Sequence, residues 1–313
     1  MPTPSITIPE TPPKVLCLVG PTGAGKTAAA LHLAERFGGI VINADSRQVY
    51  RDVPIITAQP SAEEQAVCPH HLYGFLAMDE AISAGIWGDL AAEQVYHHAS
   101  LGHVPMLVGG TGMYVKSLLE GIVNIPSIPA EIHEALQEEC ARRGSVRLHE
   151  RLVEVDPAYA ARIHANDRQR ITRALEVFEF TGKAFSAWHA DTKPLYPMKA
   201  LKIGFAMTLE QLQPRLGLRI DQMLSQGALG EAENAWLACP HAKAAGWTGI
   251  GCAELLAYMQ GHYSLNAACD AWLRNTRAYA KRQLTWFNAD KEIHWFDPRD
   301  VHGMADLVEA FLE

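Results

Sequence analysis

No run of apolar residues in this chain approaches the ~18 that a membrane-spanning helix needs, so the sequence reads as that of a non-membrane protein. Cysteine is sparse. The six, at positions 17, 68, 140, 239, 252 and 269, form no CxxC pair. That argues against a disulfide framework and against a zinc site, and for a cytosolic protein with mostly buried thiols. Positive charge is in deficit, with 27 Lys and Arg against 35 Asp and Glu and a net charge of −8. A chain that coats nucleic acid or an anionic membrane through bulk charge is thereby excluded, while a local basic patch is not. The opening stretch MPTPSITIPETPPK has no Arg and no long apolar segment, so it resembles neither a signal nor a transit peptide. Its Pro and Thr predict a disordered tail over residues 1–14.

What is present is a large apolar fraction. The chain has 313 residues, 48% of them hydrophobic, enough for a sizeable core in about two domains or in one core with an insertion. VLCLVG at 15–20 reads as a strand buried on both faces. A helix is predicted over 27–37, a second strand over 39–44, a helix over 84–101, a third strand over 105–110 and a helix over 113–120. Strand and helix alternating in short units predict a parallel sheet with right-handed crossovers. After NIPSIP at 124–129 the character changes. For about 70 residues only helical patterns appear, near 130–143, 145–154, 156–164 and 166–181. Pro126 and Pro129 mark one hinge of this block and KPLYP at 193–197 the other. Strand character resumes at 201–207, helices follow from 209 to 287, and EIHWF at 292–296 is a final strand candidate.

GPTGAGKT, Gly20 to Thr27, fits G-x-x-x-x-G-K-[ST] between a predicted strand and a predicted helix. In such a loop (Gly20, Pro21, Thr22, Gly23, Ala24, Gly25, Lys26 and Thr27) backbone N–H groups cradle phosphate oxygens. The helix N-terminus and Lys26 add positive charge, and the Thr27 hydroxyl suits Mg²⁺. The motif belongs to the nucleotide-binding, ATP-binding P-loop class. The expected fold is therefore α/β, a P-loop NTPase-like parallel-sheet core with an inserted all-helical subdomain. An ordinary P-loop kinase has a strand ending in a magnesium-binding Asp, but PMLVGG at 105–110 runs into Thr111 instead. The carboxylate comes earlier, at Asp45 beyond the second strand. Strand ends of an open parallel sheet face the ligand crevice, so Asp45 and Thr111 should both approach the loop. Spacing alone leaves Asp45 two readings, a functional carboxylate or a helix N-cap.

GPTGAGKT, ADSRQVY (44–50), TAQP (57–60), PHHLYG (69–74), VGGTGMY (108–114), DRQRITRALEVFEFTGK (167–183) and TRAYAKRQLTWF (276–287) together resemble the tRNA dimethylallyltransferases, in the bacterial form. The matches run in order over nearly the whole chain. The resemblance implies transfer of a dimethylallyl group from dimethylallyl diphosphate to N6 of adenosine 37, next to the anticodon of tRNA. It implies that the diphosphate lies on the loop 20–27 with Mg²⁺, reached from Thr27 through diphosphate and water. Arg219 implies a diphosphate contact, with Arg215 one turn earlier, in a stretch whose helix propensity is lowered by Pro214 and Gly217. Asp45 implies the general base, and Thr111 a place beside the reacting centre. Asp45, Ser46, Arg47, Gln48, Thr111, His133, Gln169, Arg170, Ile171, Thr172, Arg173 and the stretch 247–254 match tRNA-contacting segments. The implied layout is a core over 15–124 and 199–313 and a helical insertion over 125–198 that contacts the anticodon stem-loop. The family also implies a cytoplasmic enzyme, here expected to be a monomer. Three departures stand out. PIITAQP occupies 54–60 where relatives read D-I-G-T-A-K-P, GCAE occupies 251–254 in place of G-Y-[RK]-[EQ], and His133 replaces an Arg.

Charge placement bears on the RNA reading. From Arg274 to Arg282 there are four basic residues, Arg274, Arg277, Lys281 and Arg282, and no acid. Arg162, Arg168, Arg170 and Arg173 form a second cluster with Asp167 the only acid. In an acidic protein two such stripes favour tRNA over a small acceptor such as a free adenine nucleotide, though a charge run can also be a solvated face. Trp247, Trp286 and Phe287 are either stacking platforms for bases or core aromatics. His70, His71, His97 and His98 have no carboxylate or Cys at ligand spacing, so no metal is expected there.

Overall fold

The computed structural model describes Ile6 and residues 8–123, 125–190 and 193–313. Residues 1–5 and 7 of the expected tail lie outside the described residues, as do Asn124, at the expected insertion boundary, and 191–192. The chain divides into two units. One joins the chain up to Leu119 with Tyr196–Glu313, and the other is Glu120–Leu195.

The first unit is built in chain order from β1 (Lys14–Val19), α1 (Lys26–Phe37), β2 (Gly39–Asn43), α2 (Pro54–Thr57), α3 (Ala62–Val67), β3 (His70–His71), α4 (Ala84–Ser100), β4 (Val104–Gly109) and α5 (Gly112–Leu119). All six strands of its sheet run parallel, in the order β3-β2-β4-β1, followed by β5 (Lys199–Phe205) and β6 (Ile293–Phe296). β1 sits inside the sheet because every side chain from Val15 to Val19 is apolar and can be buried on either face. Its period of two sends Leu16 and Leu18 into one core, with α1 residues Ala29, Ala30 and Leu33. Val15, Cys17 and Val19 enter the opposite core, with Trp87, Ala91 and Leu118. Each fully buried Leu stabilises the fold by roughly 1.5–3 kcal/mol. Lys202, on β5, breaks the apolar pattern. Burial alone would lower its amine, but hydrogen bonds to Asp290 (2.7 Å) and Glu292 (3.0 Å) outweigh that and raise it.

The rest of this unit covers the sheet with α11 (Leu209–Ser225), α12 (Ala228–Ala238), a 3₁₀ turn at Ala245–Thr248, α13 (Cys252–Met259), α14 (Leu265–Asn288) and α15 (Val301–Leu312). α11 runs unbroken through Pro214 and Gly217. Thr208 and Gln211 form a capping box at its start, and Leu212, Leu216, Ile220 and Met223 bury one stripe, which together offset the lost helix propensity. Trp247 and Phe287 are core residues, at 2% and 4% exposure, whereas Trp286 is exposed. Cys252, the residue in place of the family's Tyr, is buried among Trp247, Leu255 and Trp272, and burial pushes its thiol up to about 12.

The second unit is all helical: α6 (Ala130–Arg143), α7 (Ser145–Val155), α8 (Pro157–Ala160), α9 (Arg168–Thr181) and α10 (Phe185–Ala190). Leu136, Cys140, Leu148, Leu152, Ile171 and Leu175 share its core. The helix expected over 156–164 is only the one-turn α8. Asp156 caps it and is also held by the amide and hydroxyl of Ser186 (2.8 and 2.6 Å), so this carboxylate serves α10 too. The sequence pattern missed α2, α3, β3, α10 and α15, all short or terminal elements whose partners are distant in sequence.

Candidate active site

The loop between β1 and α1 needs backbone conformations that only glycine adopts freely. Gly23 and Gly25 have φ of 79° and 98°. Behind Gly23 the side chain of Leu216 stands 3.0 Å from where a Cβ would be, so α11 packs directly against the loop. That packing brings Arg215 to the Gly23 carbonyl, 3.5 Å away, and Arg219, one turn on, lies within electrostatic reach of Lys26. Lys26 opens α1 and turns back, donating to the carbonyls of Gly20 (3.0 Å) and Pro21 (2.8 Å). Burial lowers its amine to about 8, Asp45 opposes that shift, and Arg219 adds to it. Burial also lowers the Arg219 guanidinium, against the charges of Asp45 and Glu64. Two cations and one carboxylate therefore lie within electrostatic reach of one another beside the loop.

Asp45 follows β2, and no helix begins there. Its Oδ1 accepts from the Arg47 amide (2.9 Å) in a tight turn, which disposes of the N-cap reading. The turn is shaped by Asn43, fully buried, which accepts from the Asp45 amide (2.8 Å) and donates to the carbonyls of Asp45 (3.0 Å) and Leu72 (2.9 Å). The next strand end is pressed against this turn. A Cβ on Gly109 would lie 2.2 Å from the backbone of Ala44, so only glycine permits the approach. Across it the Thr111 amide donates to Ala44 (3.1 Å) and the Ser46 amide to the Thr111 hydroxyl (3.0 Å).

α14 closes the site along one face. Tyr279 lies beside Thr111, and burial, with the charge of Asp45, pushes its phenol up to about 12. Burial and Asp45 likewise raise Tyr73 and Tyr114, so Asp45 stands among protonated tyrosines. One turn beyond Tyr279, Gln283 is 4% exposed and touches both Thr22 and Gly110. Trp286 stands where a Cβ on Gly112 would be, 2.0 Å from its indole nitrogen. On the outward face Arg277, Lys281 and Arg282 are exposed, with Arg282 over the ring of Tyr279 at 5.5 Å.

The sequence-derived candidates thus gather at the ends of β1, β2 and β4, with some placed differently. Arg47 donates to the Thr248 hydroxyl (3.0 Å), joining ADSRQVY to the stretch 247–254. Gln48 donates to the carbonyls of Thr57 (3.2 Å) and Ala58 (2.6 Å), which anchors the departing PIITAQP segment. His133, Gln169, Arg170, Ile171, Thr172 and Arg173 belong to the helical unit. There Ile171 and Thr172 are core residues at 0% and 1% exposure, while Gln169, Arg170 and Arg173 face solvent. His133 Nδ1 donates to the buried Glu176 carboxylate (2.6 Å), which Arg173 also reaches at 3.2 Å. Asn43, Gly109, Tyr279 and Gln283 were missed. The signal for the last two was their i, i+4 spacing on α14, which puts them on one face.

Among the described residues no cluster of three His, Cys, Asp or Glu could hold a metal ion, and no helix is long and apolar enough to cross a membrane.

A family model described as IPP transferase matches residues 48–290. A tRNA dimethylallyltransferase of Nitratidesulfovibrio vulgaris strain DP4 is 60% identical over 300 residues, covering 96% of this chain and 97% of that protein. One from Oleidesulfovibrio alaskensis is 54% identical over 296 residues, with 95% and 97% covered. The crystal structure of a tRNA isopentenylpyrophosphate transferase from Bacillus halodurans superposes with a TM-score of 0.71 at 33% identity, covering 96% of each chain. A eukaryotic dimethylallyltransferase acting on tRNA superposes with a TM-score of 0.76 at 28% identity, covering 93% of this chain and 75% of that one. The family model begins after the loop and Asp45, but the alignments to the two relatives span nearly the whole chain.

Proposed function

The chain belongs to the IPP transferase family, and from that premise we propose that it transfers a dimethylallyl group from dimethylallyl diphosphate to N6 of adenosine 37 in tRNA, releasing diphosphate. The observation that carries this reading is the convergence of Lys26, Arg219 and Asp45 beside the loop. An anion of high charge suits the two cations and the loop amides. A carboxylate set apart on the next strand suits an acceptor that must lose a proton.

N6 of adenine attacks the allylic C1, the C1–O bond to diphosphate breaks, and the N6 proton passes to Asp45. Loop amides, Lys26 and Arg219 bind the diphosphate and stabilise the charge that develops on it. Thr111, held by the Ser46 amide and hydroxyl, orients the acceptor side. The carboxylate works only within hydrogen-bond reach of the amine, so the base must leave the anticodon-loop stack. The exposed Thr27 hydroxyl at the head of α1 would hold Mg²⁺, a hard ion that prefers oxygen donors. When bound, it neutralises charge on the diphosphate.

For tRNA we propose contacts from Asp45 to Gln48, Thr111, Arg277, Lys281 and Arg282, and from the helical unit through His133, Gln169, Arg170 and Arg173, with that unit clasping the anticodon stem-loop. One chain supplies every group named, which supports a monomer, and a tRNA-modifying activity belongs in the cytoplasm. The deciding experiment incubates the purified protein with unmodified tRNA and dimethylallyl diphosphate, then measures digested nucleosides by mass. N6-isopentenyladenosine from position 37 is expected. Prenylation of free adenosine monophosphate in preference to tRNA would overturn the acceptor.

A further inference from the structure

From α14, Gln283 bridges the loop and a strand end. Its Oε1 accepts the amide N–H of Thr22 (2.9 Å), the third residue of the loop, and its Nε2 donates to the carbonyl of Gly110 (2.9 Å). Gly110 leaves the room for this, since a Cβ there would lie 1.9 Å from Nε2. The two contacts ask opposite things of one group at one depth, an acceptor and a donor on the same plane. A primary amide supplies both, a carboxylate only accepts, and a thioether supplies neither in strength. Gly110 precedes Thr111, whose hydroxyl receives the Ser46 amide beside Asp45. A single buried amide therefore sets the spacing between the loop and the strand end that neighbours the base.

We propose that Gln283 is a positioning residue for the diphosphate-binding loop, holding Thr22 and Gly110 at the separation that aligns donor and acceptor. This rests on the diphosphate reading of the loop given above. Its own signature is in the donor parameters. Buried polar groups left without a partner shift equilibria by about tenfold or more each.

The test uses the whole chain and five variants, Gln283→Met, Gln283→Glu, Gly110→Ala, the Gln283→Met/Gly110→Ala double variant and Lys26→Ala. Pyrophosphate affinity, donor and tRNA kinetics, and the thermal midpoint are measured for each. Gln283→Met should raise the pyrophosphate Kd and the donor KM about tenfold or more, with tRNA affinity within twofold of wild type. Gln283→Glu keeps the Thr22 contact and sets a carboxylate against the Gly110 carbonyl, so donor KM rises there too. It also carries the test if the Met variant does not fold. Gly110→Ala pushes the amide away from the other side and should show the same donor defect, without adding to it when combined with Gln283→Met. A purely architectural Gln283 would lower the thermal midpoint and the active fraction and leave donor KM unchanged. Folded Gln283 variants with donor KM and pyrophosphate Kd within twofold of wild type would overturn the positioning role. Lys26→Ala separates the two readings. If it weakens pyrophosphate while the Gln283 variants do not, only the positioning role falls. If it binds as wild type, the diphosphate role of the loop falls, and the positioning role with it.

Discussion

The Ser46 amide donates to the Thr111 hydroxyl across 3.0 Å, and the two residues are separated by 65 positions in the chain. This bond joins the turn that carries Asp45 to the strand end that carries the Gly-Gly-Thr sequence. Thr111→Val keeps the shape and removes the acceptor, leaving a part-buried N–H unpaired at about 1–3 kcal/mol. Turnover should fall about tenfold or more, and Thr111→Ser should restore most of it. Equal rates for the Val and Ser variants would detach the hydroxyl from the site.

Gly109→Ala probes the approach of β2 and β4. With a Cβ 2.2 Å from the Ala44 backbone, the strand ends must separate, an overpacking that costs about 1–3 kcal/mol. The Asp45 turn should move with them. Activity should drop further than thermal stability predicts, as read from turnover at a temperature where the variant stays folded.

Asp45→Asn retains an oxygen that can accept the Arg47 amide, so the turn should persist. It cannot take the N6 proton. Turnover should fall roughly 10²–10⁴-fold, with tRNA affinity much less changed. A variant that loses tRNA binding in proportion to its rate would mark Asp45 as a structural residue.

The Lys26 amine, brought down to about 8 by burial, makes two opposite pH predictions. Pyrophosphate affinity of the free protein should weaken as pH rises through 8, because the loop loses a positive charge. Stability should move the other way. Between about 8 and the unfolded-state value of about 10.4, the unfolded chain binds more protons than the native one, so this group's contribution rises with pH. Both trends should vanish in Lys26→Met, followed by calorimetric titration and thermal melts across the same buffers.

Arg277, Lys281 and Arg282 are exposed on the outer face of α14. If they meet phosphates, log tRNA affinity falls with log salt, and the triple Ala variant should have a slope shallower by up to about 2–3. Pyrophosphate binding without tRNA should stay near wild type. Parallel slopes would leave Arg170 and Arg173 of the helical unit to carry the contact.

Local pattern was sufficient for much of this protein. VLCLVG reads as a strand covered on both faces, GPTGAGKT needs its glycines between a strand and a helix, and the 3.6-residue spacing reads as helices through 130–181 except over 156–164, where only the one-turn α8 forms. The short elements were illegible for the converse reason. β3 is two residues held by β2, and α10 is held by a carboxylate 30 positions away. Asp45 shows the boundary between the two kinds of information. The residue type was readable, but a carboxylate after a strand is an N-cap or a base depending on its neighbours in space. Asn43, Gly109 and Thr111, drawn together at the ends of β2 and β4, hold it in a turn where no helix starts, which removes the N-cap reading. Trp247 and Trp286 divide in the same way. Both are aromatic and near basic residues, and only the packing of α12 and α13 around one and of Gly112 against the other sets which is core. Gln283 is the extreme case. Its amide gains its role from Thr22 and Gly110, 261 and 173 positions away, because hydrogen bonding acts over about 3 Å of space whatever the distance along the chain.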